Sequence, residues 1–297
     1  MDGAVMKPLA KEWAFAQRRS LRPATRALIV SVAALLCLGT VNTTAQATTR
    51  GAGPVDVLYA GSLFEVMQRH LAPAFHLATG YSVEGISNGS SALASEIKGG
   101  TEVGDVFLSA SPSADQALQG VANGQWVTTF STFATSPLEL AYNPRSRFAS
   151  DLRSRPWYNV VTRPSFILGR TDPASDPKGV LAVEALRSTA QRRHRPGLLK
   201  LATSKANVFE ETAMIGELEA GQLDAGFFYA VEAKAAKLPT VPLTGVNLGA
   251  KYTAAVLRHA PHGAAAHAFV AFLESRVGKK ILAANGLSPL PTVRAAP

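Results

Sequence analysis

The stretch from Val55 to Glu65 constrains the fold most. Val55, Val57, Leu58 and Tyr59 form a short apolar run of strand character, and Ala60-Gly61 turns it into a helix opening at Ser62. A strand that passes through a small-residue turn into a helix leaves backbone N–H groups unpaired at the helix start. Such a turn favours an anion. Ser62 stands at the N-cap position, where its hydroxyl either caps the helix or donates to a ligand. The unit then recurs. Residues 81–86 read as a second strand, Ser87-Asn88-Gly89-Ser90-Ser91 as a polar turn, and 92–98 as a helix closed by Gly99-Gly100. Residues 105–109 read as a third strand and 112–118 as a short helix. This alternation is the pattern of a parallel sheet covered by helices, with ligands beyond the C-terminal strand ends. Ser62 and the Ser90-Ser91 pair would then face one crevice.

Further along, Leu63, Val66, Met67, Leu71 and Phe75 recur at helical spacing, and Pro73 among them predicts a kink or an early stop. A strand is expected at 138–142, an irregular segment at 145–163, and a strand at 165–168 that enters the loop Gly169 to Gly179. A helix follows at 180–193 and is broken at Arg195-Pro196-Gly197. The expectations continue with a helix at 210–220, a strand at 224–229 and a helix at 230–237. Strands at 239–243 and 252–257 and helices at 264–274 and 277–284 complete the chain.

The N-terminus carries an address. Lys7, Lys11, Arg18, Arg19, Arg22 and Arg26 precede the apolar run 27–41, and Ala45-Gln46-Ala47 is a small-x-small cleavage site. The run is about 15 residues, short for a membrane span. Residues 1–47 therefore read as an export signal, with Arg18-Arg19 leaving Sec and twin-arginine export both open. The single cysteine, Cys37, lies inside that run, so the mature chain needs no disulfide and offers no thiolate. The whole chain carries +9; beyond residue 47, 24 basic face 19 acidic side chains. That mild excess suits an exported protein that attracts small anions. It is a poor nucleic-acid signal, because Arg192-Arg193-His194-Arg195 has no interleaved aromatics.

Taken together, YAGSL, NGSSALASEIKGG, DVFLSAS, GRTDPASDPKG and ELEAGQLDAGFFY resemble, in order and spacing, the periplasmic molybdate/tungstate-binding proteins of ABC importers over most of residues 54–258. The resemblance implies a type II periplasmic binding fold: two α/β lobes, each a mainly parallel sheet covered by helices, joined by two crossing hinge strands. It places lobe I at 54–136 and 245–297 and lobe II at 137–244. It also implies an oxyanion held by Ser62, by Ser90 (with Ser91 as the register alternative) and by Tyr229. In one branch of the family two carboxylates bind the metal itself. Glu211, eighteen positions before Tyr229, and Asp176 in the Asp172–Gly179 loop match them. Lys178 and Val180 depart from that branch, where a cysteine and a tyrosine are usual.

Each residue also has an ordinary alternative. Ser62 and Asp176 suit plain N-caps, Glu211 a first-turn acid favoured by the helix dipole, and Tyr229 core packing. Lys178 either neutralises the site or sits on the surface. Hydroxyls and backbone amides suit a dianion, whereas a carboxylate beside one is repulsive unless it ligates a hard, high-valent metal. The implied protein is a monomeric solute-binding protein without cofactor or enzymatic activity. It would deliver molybdate or tungstate to the membrane subunits of an importer. A sulfate, phosphate or other small-anion binder, and an anion sensor for a membrane receptor, are the alternatives.

Overall fold

The computed structural model describes residues 53–294, Asn207 aside. Its strands are β1 (Pro54–Ala60), β2 (Ser82–Asn88), β3 (Val106–Ser109), β4 (Ser131–Tyr142), β5 (Leu168–Thr171), β6 (Val208–Phe209), β7 (Ala225–Tyr229), β8 (Thr240–Pro242), β9 (Gly249–Val256) and β10 (Ser288–Arg294). They join in one sheet, ordered β2-β1-β3-β9-β4-β7-β5-β6, with β8 and β10 paired to β4. β1 pairs in parallel with β2 and β3, and β5 with β6 and β7. Every antiparallel pair includes β4 or β9. Two parallel units are thus joined through two crossing strands. β4 runs beside β9 as far as Pro137 and beside β7 from Leu138. The export-signal expectation at 1–47 lies outside the described residues.

Each unit is packed by aromatics on the covering helices. Phe75 meets Phe269 edge-on at 5.1 Å in the first, and Trp157 meets Phe227 edge-on at 6.0 Å in the second. Burying a side chain of this size contributes about 1.5–3 kcal/mol. The helical run 61–79 changes gauge three times: a 3-10 turn at Gly61–Leu63, a short α stretch at Phe64–Val66, a π turn at Met67–Leu71, then α-helix Ala72–Thr79. Pro73 does not stop it. The proline falls in the first turn of the α segment, just after the wide turn, where its missing N–H costs least. Gly80 closes the run at φ 87.

Several expected boundaries move. The strand expected at 165–168 is β5, three residues later. Ser165 sits at φ 62, outside strand geometry, and Leu168 and Gly169 find Ala225 and Gly226 as partners. The segment 145–163 holds the short helices Ala149–Ser154 and Trp157–Val160. The helix expected at 180–193 begins at Pro177, capped by Asp176. The helix expected at 210–220 is only Met214–Glu219, which leaves Glu211 in the preceding turn.

Candidate functional site

The C-terminal ends of β1, β2 and β3 bring Ser62 and Ser90 to one side of the site, and both are buried. The Tyr252 hydroxyl, on crossing strand β9, donates to Ser62 Oγ at 3.0 Å. The Ala110 N–H donates to Ser90 Oγ at 3.0 Å. In each serine a protein donor occupies the oxygen, so the hydroxyl hydrogen is left to donate. Ser90 opens the helix Ser90–Gly99, and Ser62 lies in the first turn of the run 61–79. Both positions add free backbone amides. Ser91 is only half-buried and lines surface grooves with Ser113. Ser90 is therefore the buried member of the pair.

The opposite side is built by the loop after β5 and by the end of β7. Asp176 caps the helix Pro177–Arg193: its Oδ1 accepts the Lys178 N–H at 2.9 Å, while its buried Oδ2 has no partner among the described residues. That cap turns Lys178 inward, where it is fully buried. Its ammonium donates to Glu232 Oε1 at 2.5 Å and lies 3.5 Å from Glu211 Oε1. Glu232 Oε2 accepts the Tyr229 N–H at 2.8 Å, which pins the acid to the end of β7. The Tyr229 ring stands edge-on to Tyr252 at 6.1 Å, and its hydroxyl has no partner among the described residues.

The two sides are in contact. The Gly61 N–H donates to Glu211 Oε2 at 3.0 Å, and a Cβ at Gly61 would stand 2.4 Å from that oxygen. The Ala92 N–H donates to the Ser175 carbonyl at 3.0 Å, and a Cβ at Gly89 would stand 2.4 Å from that same carbonyl. Gly89 is thus required by close approach to a backbone carbonyl, and at Gly61 a Cβ would displace the Glu211 carboxylate. A groove of about 350 Å³ follows the line of contact past Gly61, Phe64, Glu211, Ile215 and Val231.

The electrostatics are those of a buried, crowded site. Burial, then Asp176, raises the Glu211 carboxyl well above its ordinary range, and Lys178 pulls it back only in part. Burial raises Glu232 as well, against the pull of Lys178. Burial pulls Lys178 down, but Glu232, Glu211 and Asp176 outweigh it and hold the ammonium above the usual lysine value. Burial pushes both phenols, Tyr229 and Tyr252, well up, so both remain protonated donors.

The sequence-predicted residues Ser62, Ser90, Tyr229, Glu211 and Asp176 therefore gather around one buried region. Two residues were not foreseen in it, Glu232 and Tyr252, and of the two readings left open for Lys178 the buried one holds. Glu232 had a legible signal, an acid three residues beyond the end of an apolar strand, where it caps the next helix. The set is chemically uneven. Serine and tyrosine hydroxyls with helix-start amides supply donors, and two carboxylates present bare oxygens, Asp176 Oδ2 and Glu211 Oε1. That combination fits an oxyanion whose central atom accepts carboxylate oxygen.

Residues 55–288 match the family of bacterial extracellular solute-binding proteins, and the chain belongs to it. A Haloferax volcanii protein, provisionally named as an ABC transporter molybdenum-binding protein, is 31% identical over 71% of this chain and 66% of its own length. The molybdate/tungstate-binding protein WtpA of Thermococcus kodakarensis is 24% identical over 52% of this chain and 58% of its own. The chain thus spans about three fifths of the length of these relatives. The periplasmic molybdate-binding protein of Azotobacter vinelandii superposes over 80% of this chain and 99% of its own with a TM-score of 0.62 at 20% identity, a likeness of fold. The two-lobe periplasmic binding fold and the resemblance read from the sequence are both borne out.

Proposed function

We propose that this chain captures molybdate or tungstate between its two lobes outside the cytoplasmic membrane and delivers it to the membrane subunits of an ABC importer. Ser62, Ser90 and Tyr229 donate to the oxo groups; Asp176 and Glu211 approach the metal. The observation that carries the reading is the set of buried atoms that make no hydrogen bond among the described residues: Asp176 Oδ2, Glu211 Oε1 and the Tyr229 hydroxyl. A buried polar atom left unpaired costs about 1–3 kcal/mol, so three around one region call for a ligand. The names of the relatives from Haloferax and Thermococcus support the ligand class. Sulfate has neither a proton to donate nor vacant coordination for a carboxylate, so Asp176 and Glu211 would only repel it; phosphate, which carries a proton, is separated by the test below.

The lobe limits proposed are 54–136 with 245–297, and 137–244. The change of partner in β4 between Pro137 and Leu138 supports them. Residues 1–47 act as the export signal in this reading, and the mature chain works as a monomer without catalysis. Closure of the lobes around the anion is the mechanism.

The test is thermal unfolding of the mature protein with molybdate, tungstate, sulfate, phosphate and ferric ion. A ligand present at a thousandfold excess over its Kd stabilises the native state by about 4 kcal/mol. A large shift with molybdate and tungstate alone is expected. A shift with sulfate or phosphate keeps the fold and discards the ligand, and a shift with ferric ion alone replaces the anion by a hard cation.

A further inference from the structure

We infer that Lys178 is the positioning residue of this site: pinned from behind by Glu232, its ammonium holds Glu211 in ligand position and supplies the counter-charge that admits an anion beside two carboxylates. The inference rests on the oxyanion reading of the cleft.

Three observations carry it. First, Lys178 cannot follow a ligand. Its Nζ is fixed at 2.5 Å on Glu232 Oε1, and Glu232 is itself fixed through Oε2 to the Tyr229 N–H. The rings of Phe228 and Tyr229, 5.4 and 5.8 Å from the ammonium, close its other sides. Second, Glu211 is suspended between two groups only. Gly61 N–H holds Oε2 from one lobe, and the ammonium stands 3.5 Å from Oε1 in the other. Oε1 makes no hydrogen bond among the described residues, so the ammonium orients it by charge and leaves its lone pairs open. Third, the charges do not otherwise balance. Asp176, Glu211 and Glu232 are all buried, and Lys178 is the cation buried among them. The other buried cation in this lobe, Arg170, is spent on the carbonyls of Thr171, Ala202 and Ser204. Without Lys178 an incoming oxyanion would meet two carboxylates with neutral donors alone.

The double variant Lys178→Met/Glu232→Gln separates this role from simple pairing. It removes the ion pair as a neutral whole, and the side-chain amide carbonyl introduced by Glu232→Gln can still accept the Tyr229 N–H. Molybdate binding to the full mature chain is measured by calorimetry, and the molybdenum coordination number by X-ray absorption at the K edge. Truncating one partner of a buried charge pair typically weakens binding about thirtyfold or more. The double variant is expected to lose at least that much, with the coordination number falling towards four as Glu211 loses its hold. Unchanged affinity and unchanged coordination would overturn the inference and leave Lys178 as a mere partner of Glu232. Glu232→Gln alone guards against a variant that fails to fold. It keeps the ammonium beside Glu211 but loosens its pin, and is expected to weaken molybdate binding by less than the double variant does; a loss as large as that of the double variant overturns the counter-charge role. A wild-type protein that takes up neither molybdate nor tungstate defeats the oxyanion reading itself, and the inference with it.

Discussion

The sheet of lobe I carries a cluster of acids at one end and faces another across the cleft at the opposite end, and the two clusters are built on different terms. At the N-terminal ends of β1 and β3 the parallel register sets Asp56 beside Asp105. Every oxygen of Asp105 is used: Oδ1 accepts the His262 N–H at 2.6 Å, and Oδ2 accepts the Asp56 N–H at 2.8 Å and faces His262 Nδ1 at 2.9 Å. This cluster fastens the helix Gly263–Glu274 to the strands. Across the cleft, Asp176, Glu211 and Glu232 surround Lys178, and two carboxylate oxygens make no hydrogen bond. Composition does not separate the clusters, since each is acids around one base. Satisfaction does. A fully bonded cluster serves the fold, and one with bare buried oxygens is available to a ligand.

Four substitutions break or sharpen that contrast. Glu211→Gln has the largest expected effect on function: molybdate binding should fall about a hundredfold, or 2.7 kcal/mol, while the ligand-free protein melts no lower, since a buried acid is replaced by a neutral group. Unchanged binding in calorimetry would remove Glu211 from the ligand set. Asp105→Ala should do the reverse. It strands two backbone N–H groups and costs about 2–4 kcal/mol of stability in urea unfolding, with the molybdate Kd within about threefold. A comparable loss of affinity would show that the fastening cluster also serves the ligand. Gly89→Ala brings a methyl against the Ser175 carbonyl, forces the two segments apart and should weaken binding about tenfold by opposing closure, measured by calorimetry.

The smallest expected effect concerns a third acid. Among the described residues, Asp115 has one oxygen bonded by Thr253 and one bare, with no base paired to it. Burial, against the Thr253 bond, raises its pKa to about 7. The folded protein therefore keeps a proton that the unfolded chain releases near the ordinary aspartate value. Stability from this group is full at low pH, declines between about pH 4 and about pH 7, and is flat above. Asp115→Asn should abolish that slope, seen as a few degrees in Tm between pH 5 and pH 8. If the slope persists, the bare oxygen of Asp115 has another cause. What separates Asp115 from Glu211 is the Lys178 ammonium, 3.5 Å from the bare oxygen of the latter.

Much of this was legible in the sequence because the signals were local. Strand, small turn and serine at a helix start define Ser62 and Ser90 within a few residues, and the apolar run into Tyr229 defines the end of β7. What was not legible depends on partners distant in the chain. Tyr252 reads as a strand aromatic, and only the fold sets its hydroxyl on Ser62, 190 residues away. Lys178 reads equally as a surface group or a neutralising one, and only the Asp176 cap and the fold turn it inward. The first half of β4, Ser131 to Pro137, is small and polar with a terminal proline, and it is a strand because β9 and β10 flank it. β10 carries Pro289 and Pro291, which suit an edge with few amides to give.

β4 crosses from one half of the sheet to the other without a break, and Pro137 stands at the last pairing with β9. Its ring fixes φ at that link and supplies no amide hydrogen. A swing of one lobe against the other therefore concentrates in the few torsions flanking Pro137 and in the facing end of β9. In mechanical terms the crossing is a torsion bar with one stiffened link. Its restoring torque sets the work needed to open the cleft.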